Sequence, residues 1–273
     1  LDPAAWICTG IRRRAMPETP GALRWLQGNL DDPDRLANTL AQVPGITHVL
    51  YAPAPTARSP EAYASAYPQG LQSLLGALSA PQQLQRLVLV DSTAVWRSSA
   101  DWVDEQTPTD PEDFRGQLML EAEAILRSQL PSARFPQASG IALRLSGLYG
   151  PERLRLIDGL RTRRITAPDG PGHWANRIHI DDAAKACAHL LEVDAPLACY
   201  IGTDDTPLPT ADLYDALASM TGAALPARTL RPADGKRLRN RRLRDSGWVP
   251  QWPDTLVGYA HSLNASEASE HPM

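Results

Sequence analysis

The chain has 273 residues, of which 43% are hydrophobic and 21% are charged, and its formal net charge is −4. This length and composition predict one large globular domain, or a domain with an added lobe, and the charge argues against a general affinity for nucleic acid. The widely spaced Cys8, Cys187 and Cys199 argue against a disulfide framework or a zinc site. We find no signal-peptide pattern and no apolar run near the roughly 18 residues that span a membrane. We therefore expect a cytoplasmic protein without a membrane partner.

Short apolar runs alternate with helical patterns along the chain. The runs that predict strands are Trp6–Ile11, Thr47–Tyr51, Leu84–Val90 and Gly140–Leu145. The segments that predict helices are Asp31–Ala41, Glu61–Leu78, Pro111–Ser128 and Asp181–Leu191. This alternation favours a parallel sheet with helices on both faces. In such sheets ligands bind at the carboxyl ends of the strands, so the segments that follow strands are the candidates for chemistry.

Three arginines follow the first predicted strand: Arg12, Arg13 and Arg14. In dinucleotide-binding folds an acidic residue at the end of the second strand selects the free ribose 2′-hydroxyl of NAD, whereas arginine accommodates the 2′-phosphate of NADP. Guanidinium groups match phosphate oxygens with paired hydrogen bonds. Taken alone, the three arginines suit a solvated basic turn better; once such a fold is accepted, they favour NADP, with NAD as the alternative.

A glycine-rich turn of the form G-x-G-x-x-G does not occur in these 273 residues. That turn would lie in the first strand–helix unit of the fold, where backbone N–H groups and a helix N-terminus hold a pyrophosphate. The residues from Leu1 read instead as a helix end followed by a short strand. We therefore expect that about one strand and most of one helix precede Leu1.

Seven segments in the same order resemble motifs of one enzyme superfamily. These are Leu26–Asp32, Val49–Ala54, Val88–Trp96, Val103–Pro108, Leu143–Pro151, Asn176–Asp182 and Asn240–Trp248. Together they resemble the atypical members of the extended short-chain dehydrogenase/reductase superfamily, which are grouped with the NAD-dependent epimerases/dehydratases. The resemblance covers nearly the whole chain, apart from the first strand–helix unit.

The resemblance implies an α/β fold of the Rossmann type, a doubly wound parallel sheet with a small C-terminal substrate lobe. We expect one nucleotide-binding domain over 1–262, with the lobe built from about 150–177 and 204–258, and a flexible tail over 263–273. The resemblance also implies that NADP or NAD is the cofactor and that two copies form a homodimer.

The family reaction uses a tyrosine, a lysine four residues later and a serine or threonine after the preceding strand. The lysine lowers the pKa of the tyrosine, which exchanges a proton with the substrate. Ser92 occupies the serine position, with Thr93 beside it. Aligning the helix after Pro111 places Arg115 at the tyrosine position and Met119 at the lysine position. Methionine has no proton to exchange, so we expect Met119 to pack in the core, while Arg115 could still bind an anion.

The resemblance also places the remaining candidate site residues. Asn29, Leu30, Ala52, Pro53 and Ala54 are expected to line the cofactor, and Tyr149, Arg153 and Arg177 to face a small, anionic substrate. A packing role for Tyr149 and a solvated face for the arginines around Arg153 are the alternatives.

Other polar segments give weaker signals. The basic run 236–242 has no interleaved aromatic residues, so nucleic acid is not an expected partner, and the resemblance places this run at the edge of the substrate lobe. His179 is expected to be a buried histidine rather than a base. The six histidines have no metal-ligand spacing, so we expect no metal site.

Two functions remain open from the sequence. The first is an NADP-linked oxidoreductase or epimerase/dehydratase-like enzyme that acts on a small or nucleotide-sugar-like substrate. The second is a non-catalytic protein of the same fold that binds NADP(H) or a nucleotide as a sensor or partner module. The missing tyrosine–lysine pair favours the second, and Ser92 with the basic loop is compatible with both.

Overall fold

A computed structural model of the chain describes residues 1–2, 4–14, 23–99 and 101–270, without the side chains of 267–270. The strands are β1 (Cys8–Arg12), β2 (Leu23–Gln27), β3 (His48–Tyr51), β4 (Arg86–Ser92), β5 (Trp102–Val103), β6 (Ser139–Leu145), β7 (Gly147–Tyr149), β8 (Ala167–Pro168), β9 (Trp174–Ala175), β10 (Arg177–His179), β11 (Cys199–Gly202), β12 (Leu208–Pro209), β13 (Arg228–Thr229) and β14 (Arg237–Leu238).

The helices lie between these strands. They are α1 (Pro33–Leu40), α2 (Pro60–Ala64), α3 (Gly70–Ala77), α4 (Phe114–Gln129), α5 (Arg155–Arg161), α6 (Ile180–Glu192), α7 (Thr210–Met220), α8 (Arg241–Asp245) and α9 (Thr255–Glu270). A π-helix, Ser65–Gln69, joins α2 to α3, and short 3-10 turns cover Pro81–Gln83 and Thr93–Val95.

The local sequence explains where these elements begin and how deeply they are buried. Asp32 caps α1, because its side chain accepts a hydrogen bond from the Arg35 backbone N–H at 3.0 Å, and Pro33 starts the first turn. In β4 the consecutive apolar residues Leu87, Val88 and Leu89 are all fully buried. A continuous apolar run of this kind is typical of a strand that is covered on both faces.

The central sheet has the strand order β11-β6-β4-β3. Strands β3 and β4 pair in parallel, with His48 opposite Arg86 and Tyr51 opposite Leu89. Strands β1 and β2 form a separate parallel pair, with Cys8 opposite Leu23. The predicted α/β class with a parallel sheet of the nucleotide-binding type is confirmed.

The chain divides into two compact units. The first consists of 1–91, 113–142 and 190–198. Its buried residues include Leu36 and Leu40 of α1, Leu71 and Leu74 of α3, and Leu126 of α4.

An arginine stabilises the interior of this first unit. The Arg86 guanidinium donates to the carbonyls of Leu190 and Val193 at 2.9 and 2.8 Å and to Ser139 Oγ at 3.0 Å. The side chain thereby satisfies carbonyl groups at the end of α6, which have no partner within the helix.

The second unit consists of 92–112, 143–189 and 199–273. Its core is a cluster in which the rings of Tyr149 and Tyr259 stack with their centroids 4.1 Å apart. Asp182, in the first turn of α6, accepts hydrogen bonds from the backbone N–H groups of Gln251 and Trp252 at 2.7 and 2.8 Å. Because Asp182 is fully buried, these bonds compensate for its loss of water.

Two expectations change in detail. The single helix expected over Glu61–Leu78 is interrupted by the π-helix, which contains Pro68, because proline cannot donate the backbone hydrogen bond that a continuous α-helix needs. The segment 263–270, expected as a flexible tail, is the last part of α9; Leu263 is buried, and Ser266 Oγ donates to the Pro151 carbonyl at 3.0 Å. Residues 271–273 lie outside the described residues. The bounds of a substrate lobe stay a prediction.

Glycine in α9 is required by the packing of the second core. A Cβ on Gly258 would overlap Tyr149 Oη and would lie 2.8 Å from Tyr149 Cζ. We expect Gly258→Ala to lower the free energy of unfolding by about 1–3 kcal/mol, measured by urea denaturation, because the stacked rings must move.

Gly76 in α3 provides the matched control, since a Cβ there meets nothing within 4 Å. Gly76→Ala should leave stability unchanged or raise it by up to about 1 kcal/mol through helix propensity. Equal effects of the two substitutions would contradict the packing argument.

Candidate functional site

The predicted cofactor residues lie at the ends of three strands in the first unit. Arg12 is the last residue of β1, and its guanidinium lies 5.7 Å from the centre of the Trp25 ring. Arg12, Arg13 and Arg14 are all exposed, and the Arg13 carbonyl accepts a hydrogen bond from Gln27 Nε2 at 2.9 Å. The structure thus places three cationic groups at the end of β1.

The other predicted cofactor residues follow β2 and β3. The Asn29 side chain accepts a hydrogen bond from the Asp31 backbone N–H at 3.3 Å, and Leu30 is partly buried. Ala52 and Ala54 are exposed after β3, with Pro53 partly buried between them. Small residues at a strand end leave room for a ligand to approach the backbone.

The predicted catalytic serine lies in the second unit. Ser92 caps the 3-10 turn Thr93–Val95, and its Oγ accepts a hydrogen bond from the Ala94 backbone N–H at 3.2 Å. Thr93 is the first residue of that turn and is partly buried. The hydroxyl of Ser92 can position a ligand group but needs a separate group to exchange protons.

Helix α4 carries neither a tyrosine nor a lysine at the expected positions. Met119 is only 4% exposed, which confirms its packing role. The Arg115 guanidinium is bound by the N-cap residue of the same helix, with Nε donating to Asp113 Oδ2 at 2.7 Å. Because Asp113 balances this charge, Arg115 has less capacity to bind an anion than its sequence position indicated.

Aromatic residues that the sequence analysis missed lie against α4. The Tyr63 ring meets Phe114 edge-on at 5.5 Å and stacks on Tyr67 at 5.8 Å. Burial, followed by the charge of Asp91, raises the pKa of Tyr67 far above its ordinary value. Tyr67 therefore stays protonated at neutral pH and does not replace the low-pKa tyrosine of the family.

The predicted substrate residues of the second unit lie in different environments. Tyr149 is 0% exposed, so its ring packs in the core and reaches no ligand in this conformation. Burial raises its pKa, and its hydroxyl has no hydrogen-bond partner among the described residues. Arg153 is exposed. The expectation that Tyr149 faces a substrate is thus replaced by the packing alternative, because stacking on Tyr259 encloses the ring.

Arg177 is the predicted substrate residue with the most defined surroundings. Its side chain is partly buried, its Nη1 fills the space that a Cβ on Gly147 would take, and its Nε is buried without a hydrogen-bond partner in the described part of the chain. Its positive charge lowers the pKa of Tyr259, although burial raises that pKa more strongly. The accessible part of a half-buried guanidinium is suited to an anionic ligand.

An acidic residue near the end of β11 is held by hydrogen bonds. Asp204 is 2% exposed; its carboxylate accepts from Thr255 Oγ1, and from the Thr206 backbone N–H at 3.2 Å. Burial, and then the charges of Asp205 and Asp254, raises its pKa to about 8. Asp204 is therefore a protonated carboxyl group over most of the neutral range.

The carboxylates of the acidic turn before α4 have structural partners. Asp104 Oδ1 accepts a hydrogen bond from Thr107 Oγ1 at 3.1 Å, and Glu105 Oε1 accepts one from the Ile201 backbone N–H at 2.8 Å. Burial raises the pKa of Glu105.

His179 is fully buried as expected, and burial lowers its pKa. No group of residues able to hold a metal occurs in the described part of the chain, and none of the described helices is long and apolar enough to cross a membrane.

Comparison with solved structures identifies the family. A protein of Methylobacillus flagellatus assigned as an NAD-dependent epimerase/dehydratase is 36% identical, with a TM-score of 0.75, and the match covers 95% of this chain and 89% of that one. The chain belongs to the NAD-dependent epimerase/dehydratase family. No family model and no curated protein sequence matches it.

More distant structures share the fold of this epimerase/dehydratase family member. MoeE5, solved with UDP-glucose and NAD, is 19% identical at a TM-score of 0.77, covering 96% of this chain and 91% of that one. The UDP-glucuronic acid 4-epimerase of Bacillus cereus, solved with NAD, is 14% identical with a TM-score of 0.76. The match covers 97% of this chain and 91% of that one.

The residues present fit the adenosine end of a dinucleotide. The three exposed guanidinium groups of Arg12–Arg14 can donate paired hydrogen bonds to phosphate oxygens. The glycine-rich turn that would hold a pyrophosphate is not part of this sequence.

Asp204 should make stability depend on pH. Its pKa is higher in the folded protein than in the unfolded chain, so the folded state binds more protons between pH values of about 4 and 8. The stabilisation is fully present below about pH 4 and is lost as the pH rises through about 8. Asp204→Asn removes the titratable group and keeps an amide oxygen that accepts from the Thr206 backbone N–H, so it should flatten this decline in urea unfolding.

The same substitution at the exposed Asp194 removes a carboxylate without affecting a buried group, and its pH profile should follow the wild type. A steep decline that persists in Asp204→Asn would show that another group is responsible.

Proposed function

We propose that this chain binds a nicotinamide dinucleotide, NADP in preference to NAD, and acts as an oxidoreductase or epimerase/dehydratase-like enzyme on a small anionic substrate of the nucleotide-sugar type. The choice of NADP rests on the end of β1, where Arg12, Arg13 and Arg14 are all exposed. Family membership supports a nicotinamide dinucleotide, and structures of the same fold were solved with NAD. When bound, the cofactor would supply the hydride chemistry.

The substrate class is supported by Arg177. Its partly buried guanidinium suits a phosphate or carboxylate group. MoeE5, which shares the fold, was solved with UDP-glucose, so we use UDP-glucose as the first probe. The carboxyl group of Asp204 and the fully buried Tyr149 contribute structure rather than substrate contacts in this proposal.

The second candidate is a non-catalytic member of the family that binds the dinucleotide as a sensor or partner module. It is favoured by helix α4, where Met119 is buried and Arg115 is neutralised by Asp113. Turnover of a hydroxyl or carbonyl substrate with NADP or NADPH would exclude this candidate. Formation of a homodimer and a cytoplasmic location stay predictions in either case.

Titration of NADPH and NADH tests the cofactor proposal, with the fluorescence of the seven tryptophans as the signal. We expect NADPH to bind more tightly than NADH, and Arg12→Glu or Arg13→Glu to weaken NADPH about tenfold or more while NADH changes little. One charged hydrogen bond contributes roughly 1.5–3 kcal/mol, which corresponds to this range.

Arg24 offers a matched control for these charge reversals. It lies on β2 opposite Thr9, towards the other end of the same strand pair, and it is exposed. Arg24→Glu should leave NADPH affinity unchanged. If all three reversals weaken NADPH equally, the effect is a general one of net charge and the assignment of the 2′-phosphate is wrong.

Calorimetric titration of UDP-glucose tests the role of Arg177. Arg177→Gln should weaken binding about tenfold, and Gly147→Ala should reproduce much of that loss, because the added Cβ would displace Nη1. Arg241 is 85% exposed, so Arg241→Gln is the control that should bind like the wild type. Equal binding by wild type and Arg177→Gln would overturn the role of Arg177.

A further inference from the structure

The chain contains only two lysines, Lys185 and Lys236, among its 27 basic residues. They differ in environment although both lie in the second unit. Lys185 is exposed, and its Nζ donates to Gln251 Oε1 at 2.6 Å. Lys236 is partly buried, and its Nζ donates to the carbonyl oxygen of Trp96.

The backbone around Lys236 is held on two sides. Asn176 Nδ2 donates to the Lys236 carbonyl, and Ser98 Oγ accepts from the Gly235 N–H at 3.2 Å. Gly235 has a φ of 82°, and a Cβ there would overlap the Trp174 carbonyl oxygen, so glycine is required at that position. The amine of Lys236 therefore projects from a fixed backbone.

The charge of this amine is poorly compensated. An ammonium group can donate three hydrogen bonds, yet in the described part of the chain Lys236 Nζ makes one, to a neutral carbonyl, and no ion pair. Burial lowers the pKa of Lys236 to about 8, and the charge of Glu112 opposes this only in part.

The other charged groups around this position have partners of their own. Arg144 lies over the Trp96 ring at 4.5 Å, and Arg237 lies over the rings of Trp102 and Trp174. Asp234 lies two residues before Lys236. Its Oδ1 forms a hydrogen bond with His173 Nδ1 at 2.7 Å. These surroundings therefore lower the pH at which Lys236 releases its proton, and the neutral amine is available near the neutral range.

The acceptor of Lys236 belongs to the predicted catalytic turn. Trp96 is the residue that ends the 3-10 turn Thr93–Val95, and Ser92 is the residue that caps it. The hydrogen bond to the Trp96 carbonyl thereby attaches the amine to the segment that carries Ser92 and Thr93. Helix α4, where the family places its lysine, has Met119 instead.

We propose that Lys236 is the proton-exchanging group of the Ser92–Thr93 turn. Its uncharged amine accepts the proton of a substrate hydroxyl: the O–H bond breaks, an N–H bond forms on Nζ, and an ammonium and an alkoxide result. The reverse transfer returns the proton to the oxygen. Alkoxide formation is the proton-transfer half of alcohol oxidation. This role rests on the proposed enzymatic function.

Amine labelling measured by mass spectrometry tests the protonation state without any turnover. The full chain is treated with an acetylating reagent over a range of pH, and Lys185 serves as the internal reference. We expect the labelling of Lys236 to reach half its maximum near pH 8, because burial lowers the pKa of its amine to about 8 and only the neutral amine reacts. Coincident profiles of the two lysines would overturn the proposal.

Protection by a ligand tests the location of the amine. At one pH, UDP-glucose together with NADP should slow the labelling of Lys236 several-fold and leave Lys185 unchanged. If calorimetry shows that UDP-glucose is bound and the labelling of Lys236 is unaffected, the amine does not face the substrate and the proposal fails.

Variants separate proton exchange from a structural role. With the substrate found by a turnover screen, Lys236→Met should reduce kcat by roughly 10²-fold or more and keep NADPH affinity. Lys236→Arg retains the hydrogen bond and the charge but cannot deprotonate, so it should not restore kcat. Recovery of kcat by arginine would assign Lys236 a structural role and overturn the proposal.

The experiments distinguish a wrong role for Lys236 from a wrong proposed function. A wild-type enzyme that turns over while Lys236→Met has the same kcat overturns the role alone. A wild type that binds no dinucleotide and turns over no substrate overturns both. Lys185→Met, at an exposed position, is the control for removing a lysine and should have the wild-type kcat.

Discussion

Burial of ionisable groups without a counter-ion is the constraint on which the chemistry of this chain depends. Burial raises the pKa of Tyr51, Tyr67 and Tyr149, because an enclosed phenolate loses its hydration. The same cost acts on charges of both signs, so it raises the pKa of Asp204 to about 8 and lowers that of Lys236 to about 8. Of these five groups, only the carboxyl and the amine can exchange protons near neutral pH.

The same constraint applies to helix α4, which has Arg115 and Met119 at the positions that the family resemblance gives to tyrosine and lysine. A tyrosine can act as an acid or base near neutral pH only where a cation lowers its pKa, and the position that would supply the cation is the buried Met119. The remaining cation of the first turn, Arg115, is already bound to Asp113. Helix α4 therefore contributes packing to the first unit, and in the proposed enzyme the proton-exchanging group lies in another part of the chain.

The sequence predicted the features that depend on residues close together along the chain. The apolar run of β4, the capped start of α1 and the basic end of β1 were all found, because hydrophobic runs, caps and charge clusters are local patterns. The break in the helix over 65–69 was missed, since apolar periodicity does not show that the segment around Pro68 forms a π-helix. The environment of Lys236 could not be predicted, because its acceptor Trp96 lies 140 positions away in the sequence.

The distinction between arginine and lysine makes position 236 chemically different from the basic run that follows it. Arginine would serve as well for solvation or for a hydrogen bond to a carbonyl, and the run continues with arginines at 237, 239, 241 and 242. A guanidinium keeps its proton at any pH that a protein tolerates, whereas a desolvated ammonium can release one. Lysine at 236 thus adds a property that arginine cannot supply, and burial beside the Trp96 carbonyl brings that property into the neutral pH range.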